Sequence, residues 1–339
     1  MKLCITGGGT GGHLMVARAL ADTAVAEGHE VIFIGSTNGQ DRKYFGGRSS
    51  FSEVYFLNTT GVVNQKGSGK LKAIVKMLKA YLSAREILSK HKIQAVYSVG
   101  GYSAAPAAFA TVTKFLPLFI HEQNAVTGRL NALLKPFAKN FVSAYDNKSN
   151  IQGYPVEETF FKNARVRDEV KTIIFLGGSH GAMSVNDLAL SCALELQDNG
   201  FKIIHQCGEF DYERVKDEYE ILGVEVELYG FTNDLAEILS RADLAVSRAG
   251  ASTLWELSAN GLPAFFIPYP YAAGDHQYYN AQFIVENELG WCEREGEELK
   301  QKFLAVTEES MKEKSEKLLS YTSKDVARAM IADLQKRVK

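Results

Sequence analysis

Two doubly wound α/β domains, each on a parallel sheet, are the fold this 339-residue sequence predicts. Short apolar runs alternate with helical patterns from one end to the other, which implies parallel strands joined by right-handed crossovers. A strand, glycine loop and helix start, KLCITGGGTGGH (Lys2–His13), recurs as TIIFLGGSHGA (Thr172–Ala182) about half a chain later. Hydrophobic residues at 46% and charged residues at 23% supply material for two soluble cores.

In order, strands are expected at Leu3–Thr6, Val31–Gly35, Ala95–Val99 and Pro117–Ile120 in the first half. In the second they are expected at Thr172–Leu176, Lys202–Gln206, Val224–Leu228, Leu244–Ser247 and Ala264–Ile267. The spacing leaves room for helices between most of them. A boundary near Gly153-Tyr154-Pro155 gives an N-terminal domain 1–153 and a C-terminal domain 154–323. The tail Lys324–Lys339 has an amphipathic pattern and is expected to pack back on the first domain.

A net charge of −2 excludes a broadly basic nucleic-acid surface. Cys4, Cys192, Cys207 and Cys292 are far apart and contain no C-x-x-C pair, which argues against a zinc site or a disulfide framework. The first residues enter a strand with no signal-like apolar region, and no apolar run reaches the ~18 residues of a spanning helix. The expected location is the cytoplasm or the cytoplasmic face of a membrane.

The stretch ITGGGTGGH contains Gly7-x-Gly9-x-x-Gly12, the dinucleotide fingerprint. That fingerprint requires an acid at the end of the second strand for the ribose hydroxyls. Here the strand EVIFIG is followed by Ser36-Thr37-Asn38-Gly39-Gln40, and Asp41 comes six residues past it, so nicotinamide-dinucleotide binding is not expected. Glycine-lined helix N-termini still bind anionic oxygens. Tight strand-to-helix turns are the plain explanation of either loop alone; two of them facing one cleft favour phosphate or sugar recognition.

The densest stretch is SRAGASTLWELSANGLPAFFIPYP (Ser247–Pro270). A loop at Arg248–Ser252 leads to a helix expected from about Thr253, with Thr253-x-x-Glu256 as a possible capping box. The functional alternative makes Glu256 the acceptor of both ribose hydroxyls of a nucleotide whose phosphates meet the helix N-terminus. Gly274-Asp275-His276-Gln277 and Tyr278-Tyr279-Asn280-Ala281 then place polar side chains at another helix start, where Asp275 is also a potential N-cap.

GGTGGH (Gly8–His13), GGYSAAP (Gly100–Pro106), HEQNAVTGRLN (His121–Asn131), GGSHGA (Gly177–Ala182), SRAGASTLWEL and DHQYYNA follow one another as in the MurG family. The chain resembles that family of bacterial N-acetylglucosaminyltransferases over nearly its whole length. The resemblance implies the GT-B architecture, two Rossmann-like domains facing a cleft. It implies inverting transfer of GlcNAc from UDP-GlcNAc to the muramoyl 4-hydroxyl of undecaprenyl-diphosphate-linked MurNAc-pentapeptide (lipid I), giving lipid II.

On the donor side the resemblance implies that Glu256 takes the ribose hydroxyls and Ala251, Ser252 and Thr253 meet the diphosphate. Ser179 and Gln277 would contact phosphate and sugar with Asn280 nearby, and Thr232 would meet uracil through its backbone. Thr10, Gly11, Gly12 and Asn124 would line the donor sugar, with Gly8, Gly9 and Tyr102 toward the acceptor. His13 is the expected general base, because a histidine at a helix N-terminus is held toward its neutral, proton-accepting form. The plain alternative is that His13 only orients its loop; Glu122 is the competing base. No Asp-x-Asp cluster stands in a suitable loop, so no metal cofactor is expected, and helix N-termini would take the charge on UDP. Where the family commonly reads N-P-V-R this chain has Tyr154-Pro155-Val156-Glu157, so no donor contact is carried over there; His180, where glutamine is frequent, is a tolerable change.

Lys66–Lys92 holds eight Lys or Arg and one acid, Glu86. On a helical projection Leu71, Ile74, Val75, Met77, Leu78, Tyr81 and Leu82 cluster, with Lys72, Lys76 and Lys79 opposite. An ordinary helix would bury that stripe on the sheet. A basic amphipathic helix can instead lie on anionic lipid, which suits an acceptor carrying a polyprenyl anchor and gives peripheral attachment to the inner membrane's cytoplasmic face. Three other classes remain: a UDP-GlcNAc 2-epimerase, which needs paired carboxylates at the sugar, a non-catalytic sugar-nucleotide sensor, and last an NAD oxidoreductase.

Overall fold

The computed structural model describes residues 1–47, 50–60, 68–178 and 181–338. It divides into two units, Met1–Val156 with Lys324–Lys339, and Glu157–Ser323, the junction lying three residues beyond Gly153.

Elements are numbered along the chain. The first unit contains β1 (Lys2–Thr6), α1 (Gly11–Ala26), β2 (Glu30–Ser36), α2 (Asp41–Phe45), β3 (Glu53–Leu57) and α3 (Ser68–Lys90). It continues with β4 (Ala95–Ser98), α4 (Ala105–Thr113), β5 (Leu118–Glu122), α5 (Arg129–Leu134) and β6 (Asn140–Ser143). The second has α6 (Glu158–Lys162), β7 (Thr172–Leu176), α7 (Met183–Asp198), β8 (Lys202–Gln206), α8 (Tyr212–Leu222), β9 (Val226–Tyr229) and α9 (Leu235–Arg241). After these come β10 (Leu244–Ser247), α10 (Ala251–Ala259), β11 (Ala264–Phe266), α11 (His276–Glu286), β12 (Trp291–Cys292), α12 (Leu299–Thr307) and α13 (Lys312–Tyr321). The last helix, α14 (Val326–Val338), belongs to the first unit.

Both sheets are parallel and share one topology: β3-β2-β1-β4-β5-β6, and β9-β8-β7-β10-β11-β12. The order reverses between β1 and β4 and between β7 and β10, which opens a crevice at the carboxyl ends of those strands. Three strands have no counterpart among the nine expected, β3, β6 and β12, and all three are edge strands. Central strands such as β2 are buried from end to end after their first residue, whereas β3 has Glu53 exposed and Val54–Leu57 only half-buried, apolar though that run is.

Alternate packing faces explain the flanking helices. Leu14, Ala17, Leu20, Ala21 and Ala24 of α1 lie on one stripe and are buried, as are Val326, Ala327, Met330, Ile331 and Leu334 of α14. Asn140 Nδ2 donates to Asp333 Oδ2 at 2.7 Å and Gln335 Nε2 to Glu27 at 3.2 Å, which ties α14 to the first unit.

Helix α3 leaves the Leu71–Leu82 stripe outward instead of burying it as an ordinary helix would, and corrects only where the lysines lie. It packs through Ala73, Ala80, Ala84, Ile87 and Leu88, while Leu71 (67% exposed), Ile74, Val75, Leu78 (57%) and Leu82 face outward. Met77 and Tyr81 are half-buried between the two faces. The small alanine face fits closer to the core, and the larger stripe is left over. Lys72, Lys76 and Lys79 flank that stripe about a quarter turn away rather than opposing it, as the ~100° step per residue requires. No helix among the described residues is long and apolar enough to cross a membrane.

In the second unit Arg167 is wholly buried. Its guanidinium donates to the carbonyls of Arg165, Leu239 and Ala242 and to Asn260 through both the backbone and side-chain oxygens. Leu239 lies in the last turn of α9, and Ala242 and Asn260 are the C-caps of α9 and α10, so the negative helix ends receive the cation. Burial pushes the Arg167 pKa down to about 9, with Arg165 adding to the shift. Replacing Arg167 with alanine leaves those carbonyls unpaired, and thermal or urea unfolding should show a loss of about 3–5 kcal/mol.

Candidate active site

The crevice of the first unit is lined by the loops after β1 and β4. Gly8 N donates to Gly100 O at 3.2 Å, locking the two loops together. Gly9 has φ +86°, and a Cβ there would stand 2.8 Å from the Tyr102 ring. The Tyr102 hydroxyl donates to Asn38 O at 2.9 Å. The carboxylate of Asp41, buried at the start of α2, accepts from Gly9 N at 2.6 Å and Ser36 N at 2.7 Å. Burial pushes the Asp41 pKa up, and those backbone donors pull against it. The glycine loop therefore already donates to a carboxyl group of the chain's own.

His13 is the third residue of α1, whose N-cap is Thr10. Its Nδ1 lies 2.8 Å from Thr10 Oγ1, and Gln123 Nε2 lies 2.9 Å from its Nε2. Gly11 and Gly12 form the first turn beside it. Buried Glu122 accepts from Asn124 N at 3.0 Å, Gly128 N at 2.8 Å and Asn131 Nδ2 at 2.9 Å, bracing the loop after β5. His121 is wholly buried. Burial, and then the nearby His13, push its pKa down to about 3, so it stays neutral. An imidazole at a helix start is a group able to take a proton from an incoming hydroxyl.

The second unit repeats the switch point with different chemistry. Gly178 N donates to Gln206 Oε1 at 2.9 Å, and Gln206 Nε2 returns a bond to Gly178 O at 2.9 Å. Ser179 lies outside the described residues. Helix α10 begins at Ala251, two residues earlier than expected, and its N-cap Gly250 has no side chain. Thr253 is then the third helical residue and Glu256 the sixth, so they cannot form a capping box. The first-turn amides of Ala251, Ser252 and Thr253 have no side-chain cap.

Glu256 is buried on α10; desolvation first, and the Glu157 carboxylate second, push its pKa up to about 8. Thr232 Oγ1 accepts from Asp234 N at 3.0 Å in the loop after β9. Gln277 Oε1 accepts from Tyr269 N at 2.9 Å. Asn280 is wholly buried, and its Nδ2 donates to Ala249 O at 3.1 Å, supporting the α10 loop from beneath. Asp275 occupies the N-cap position of α11 without a side-chain capping bond; its Oδ2 pairs instead with Arg294 Nη2 at 2.7 Å. Sequence reasoning overlooked Gln123, although it lies inside HEQN, and discarded Asp41 because only the ribose role was sought.

Residues 3–143 match the glycosyltransferase family 28 N-terminal domain, and residues 172–338 match the family's C-terminal domain. The UDP-N-acetylglucosamine--N-acetylmuramyl-(pentapeptide) pyrophosphoryl-undecaprenol N-acetylglucosamine transferase of Sulfurimonas denitrificans is 64% identical over 334 residues, covering 98% of each chain. The chain belongs to the MurG family. The Wolinella succinogenes transferase of the same description is 51% identical across 97% of this chain and 98% of its own. Among solved structures, Acinetobacter baumannii MurG is similar at TM-score 0.82 with 28% identity, covering 99% of both chains. A UDP-GlcNAc 2-epimerase from Neisseria meningitidis aligns at TM-score 0.64 with 13% identity, over 99% of this chain and 100% of its own, a likeness of fold alone.

One consequence of the buried carboxylate in this MurG family member is a pH-dependent stability. Native Glu256 holds its proton up to about pH 8, whereas an unfolded glutamate releases it near 4.5. Between those values the native state binds more protons, so this group's contribution falls as pH rises. Glu256→Gln should melt close to the parent at pH 5 and be more stable by on the order of 2–4 kcal/mol at pH 8, as read by thermal denaturation without ligand.

Proposed function

We propose that this chain transfers N-acetylglucosamine from UDP-N-acetylglucosamine to the muramoyl 4-hydroxyl of undecaprenyl-diphosphate-linked MurNAc-pentapeptide, with inversion at the anomeric carbon. The observation that carries the mechanism is His13 at the start of α1, held between Thr10 and Gln123. His13 accepts the proton of the 4-hydroxyl as its oxygen bonds to C1. The C1–O bond to the diphosphate breaks on the opposite face, and its electron pair leaves with UDP.

The second unit binds the donor. The uncapped amides of Ala251, Ser252 and Thr253 receive the diphosphate and its developing charge, so the transfer needs no metal. Glu256 accepts the ribose hydroxyls, Thr232 meets uracil through its backbone, and Ser179 and Gln277 meet phosphate and sugar, with Asn280 holding the loop. In the first unit Thr10, Gly11, Gly12 and Asn124 line the sugar, with Gly8, Gly9 and Tyr102 on the acceptor side. Glu122, already accepting three hydrogen bonds, serves as the brace of its loop rather than as the base.

The outward stripe of α3, Leu71, Ile74, Val75, Leu78 and Leu82, flanked by Lys72, Lys76 and Lys79, supports peripheral attachment to anionic lipid at the cytoplasmic face of the inner membrane. That location suits an acceptor held in the bilayer by its polyprenyl chain.

Labelled UDP-GlcNAc incubated with a lipid I analogue should yield the disaccharide-linked product, with turnover retained in excess EDTA. Release of ManNAc and UDP instead would assign an epimerase and overturn the reading. In single-turnover measurements His13→Ala should slow transfer by about 10²-fold or more; a loss of only a few-fold would remove the histidine from the role. Reversing Lys72, Lys76 and Lys79 to glutamate should weaken sedimentation with phosphatidylglycerol vesicles at least about tenfold, and more at low salt. Unchanged vesicle binding would eliminate α3 as the anchor.

A further inference from the structure

The loops after β5 and β6 border a groove of about 410 Å³ in the first unit, its lining including Ala125, Thr127, Phe141, Ser143, Asp146 and Lys148. We infer that this groove binds the stem peptide of the acceptor, with Lys148 pairing to a peptide carboxylate and Asp146 accepting from peptide N–H groups. The inference rests on the lipid-linked acceptor and the role of His13 proposed above.

Strand register fixes where the groove lies. β5 and β6 pair in parallel with Glu122 opposite Ser143, so both loops leave the same carboxyl edge of the sheet. One wall begins beside the imidazole. Gln123 Nε2 lies 2.9 Å from His13 Nε2, and Ala125, on the groove, is two residues further, at most ~7 Å of backbone. In a muramoyl acceptor the peptide hangs from the lactyl ether on carbon 3, next to the reacting 4-hydroxyl. A hydroxyl delivered to His13 therefore starts its peptide within reach of this wall.

Both walls are held by their own hydrogen bonds. Glu122 braces the first through Asn124 N and Gly128 N. In the second, Ser143 Oγ accepts from Tyr145 N at 3.2 Å, Asp146 Oδ1 from Lys148 N at 2.9 Å, and Ser149 Oγ from Ser143 N at 3.3 Å. A pre-formed groove lowers the ordering cost of a flexible ligand. Its lining is mostly polar, which suits a peptide backbone better than the apolar surface of a compact ligand. Lys148 is exposed, and within the described residues its ammonium makes no hydrogen bond or ion pair. Lys135 Nζ stands 4.3 Å from the centroid of the Phe141 ring, so a second cation borders the same groove. Two cations and one carboxylate fit a ligand that carries both carboxylate and amide groups.

The test compares two acceptors on the full-length protein: a lipid I analogue with the whole pentapeptide, and the same analogue cut back to the lactyl group. The parent should favour the pentapeptide in kcat/KM by about tenfold or more. Lys148→Glu should shrink that preference about fivefold or more, whereas Lys148→Arg should keep it within about twofold. Thr127→Phe, which fills the groove from the other wall, should abolish it. The UDP-GlcNAc KM and the melting temperature should stay at parental values in all three. Calorimetric titration with soluble muramoyl-pentapeptide, which requires no transfer, should show saturable binding that is at least about fivefold weaker in Lys148→Glu. Equal kcat/KM for the two acceptors, or a preference that neither Lys148→Glu nor Thr127→Phe moves, would overturn the groove assignment and leave the transferase reading in place. Peptide binding with no disaccharide product from either acceptor would uphold the groove and overturn the transferase reading instead.

Discussion

The bond between a glycine-loop amide and an acceptor following the neighbouring strand governs both sites. In the first unit Asp41, just after β2, takes Gly9 N; in the second Gln206, at the end of β8, takes Gly178 N. Each acceptor fastens the loop that follows the central strand to the strand beside it. The close approach explains the glycine density, since a Cβ on Gly8 would lie 2.6 Å from Asp41 Oδ2. In the first unit the loop held this way leads into α1. Its Gly9 amide is occupied by the Asp41 carboxyl, and His13 stands in the first turn of the helix that follows.

The two switch points share a topology and differ in what their helix starts offer. Thr10 and His13 give α1 a side-chain pair at its first turn, suited to moving a proton. At α10, Gly250 leaves the first-turn amides without a side-chain cap, suited to negative charge. The nearby carboxylates sharpen this division. Burial keeps Glu256 protonated near neutral pH, so it does not place a full buried charge close to where a diphosphate would approach. Glu157, the acid at the position of the family's arginine, reinforces that neutrality.

The sequence was legible wherever burial was two-sided. The central strands of both sheets stand out as apolar runs, and the repeated glycine loops identify the doubled topology. Three of the four edges, β3, β6 and β12, were not read, whereas the fourth, β9, was. β6 is four residues long with polar ends and β12 has only two residues, so neither carries a strand-length apolar signal; β3 does hold the apolar run Val54–Leu57 and was simply overlooked. Helix α3 has two apolar faces, and the sequence projection picked out the bulkier one, which lies outward, without seeing the alanine face that packs. Alanines at 73, 80 and 84 permit close helix packing, which sends the leucine stripe outward. The capping-box reading of Thr253 and Glu256 failed because Gly250 can end the loop without a side chain.

HEQN shows how much of the site depended on direction rather than composition. Along an extended strand, successive side chains point to opposite faces, so His121 and Gln123 share one side while Glu122 takes the other. His121 and Gln123 accordingly both meet Tyr154, and Glu122 turns to Gly128 and Asn131. The carboxylate that looks most reactive in the sequence is thereby occupied with shaping a loop. The amide beside it, which has no acid–base chemistry of its own, is the group that reaches the imidazole. Residue type alone ranks Glu122 above Gln123; strand alternation, once the end of β5 is located, reverses that order.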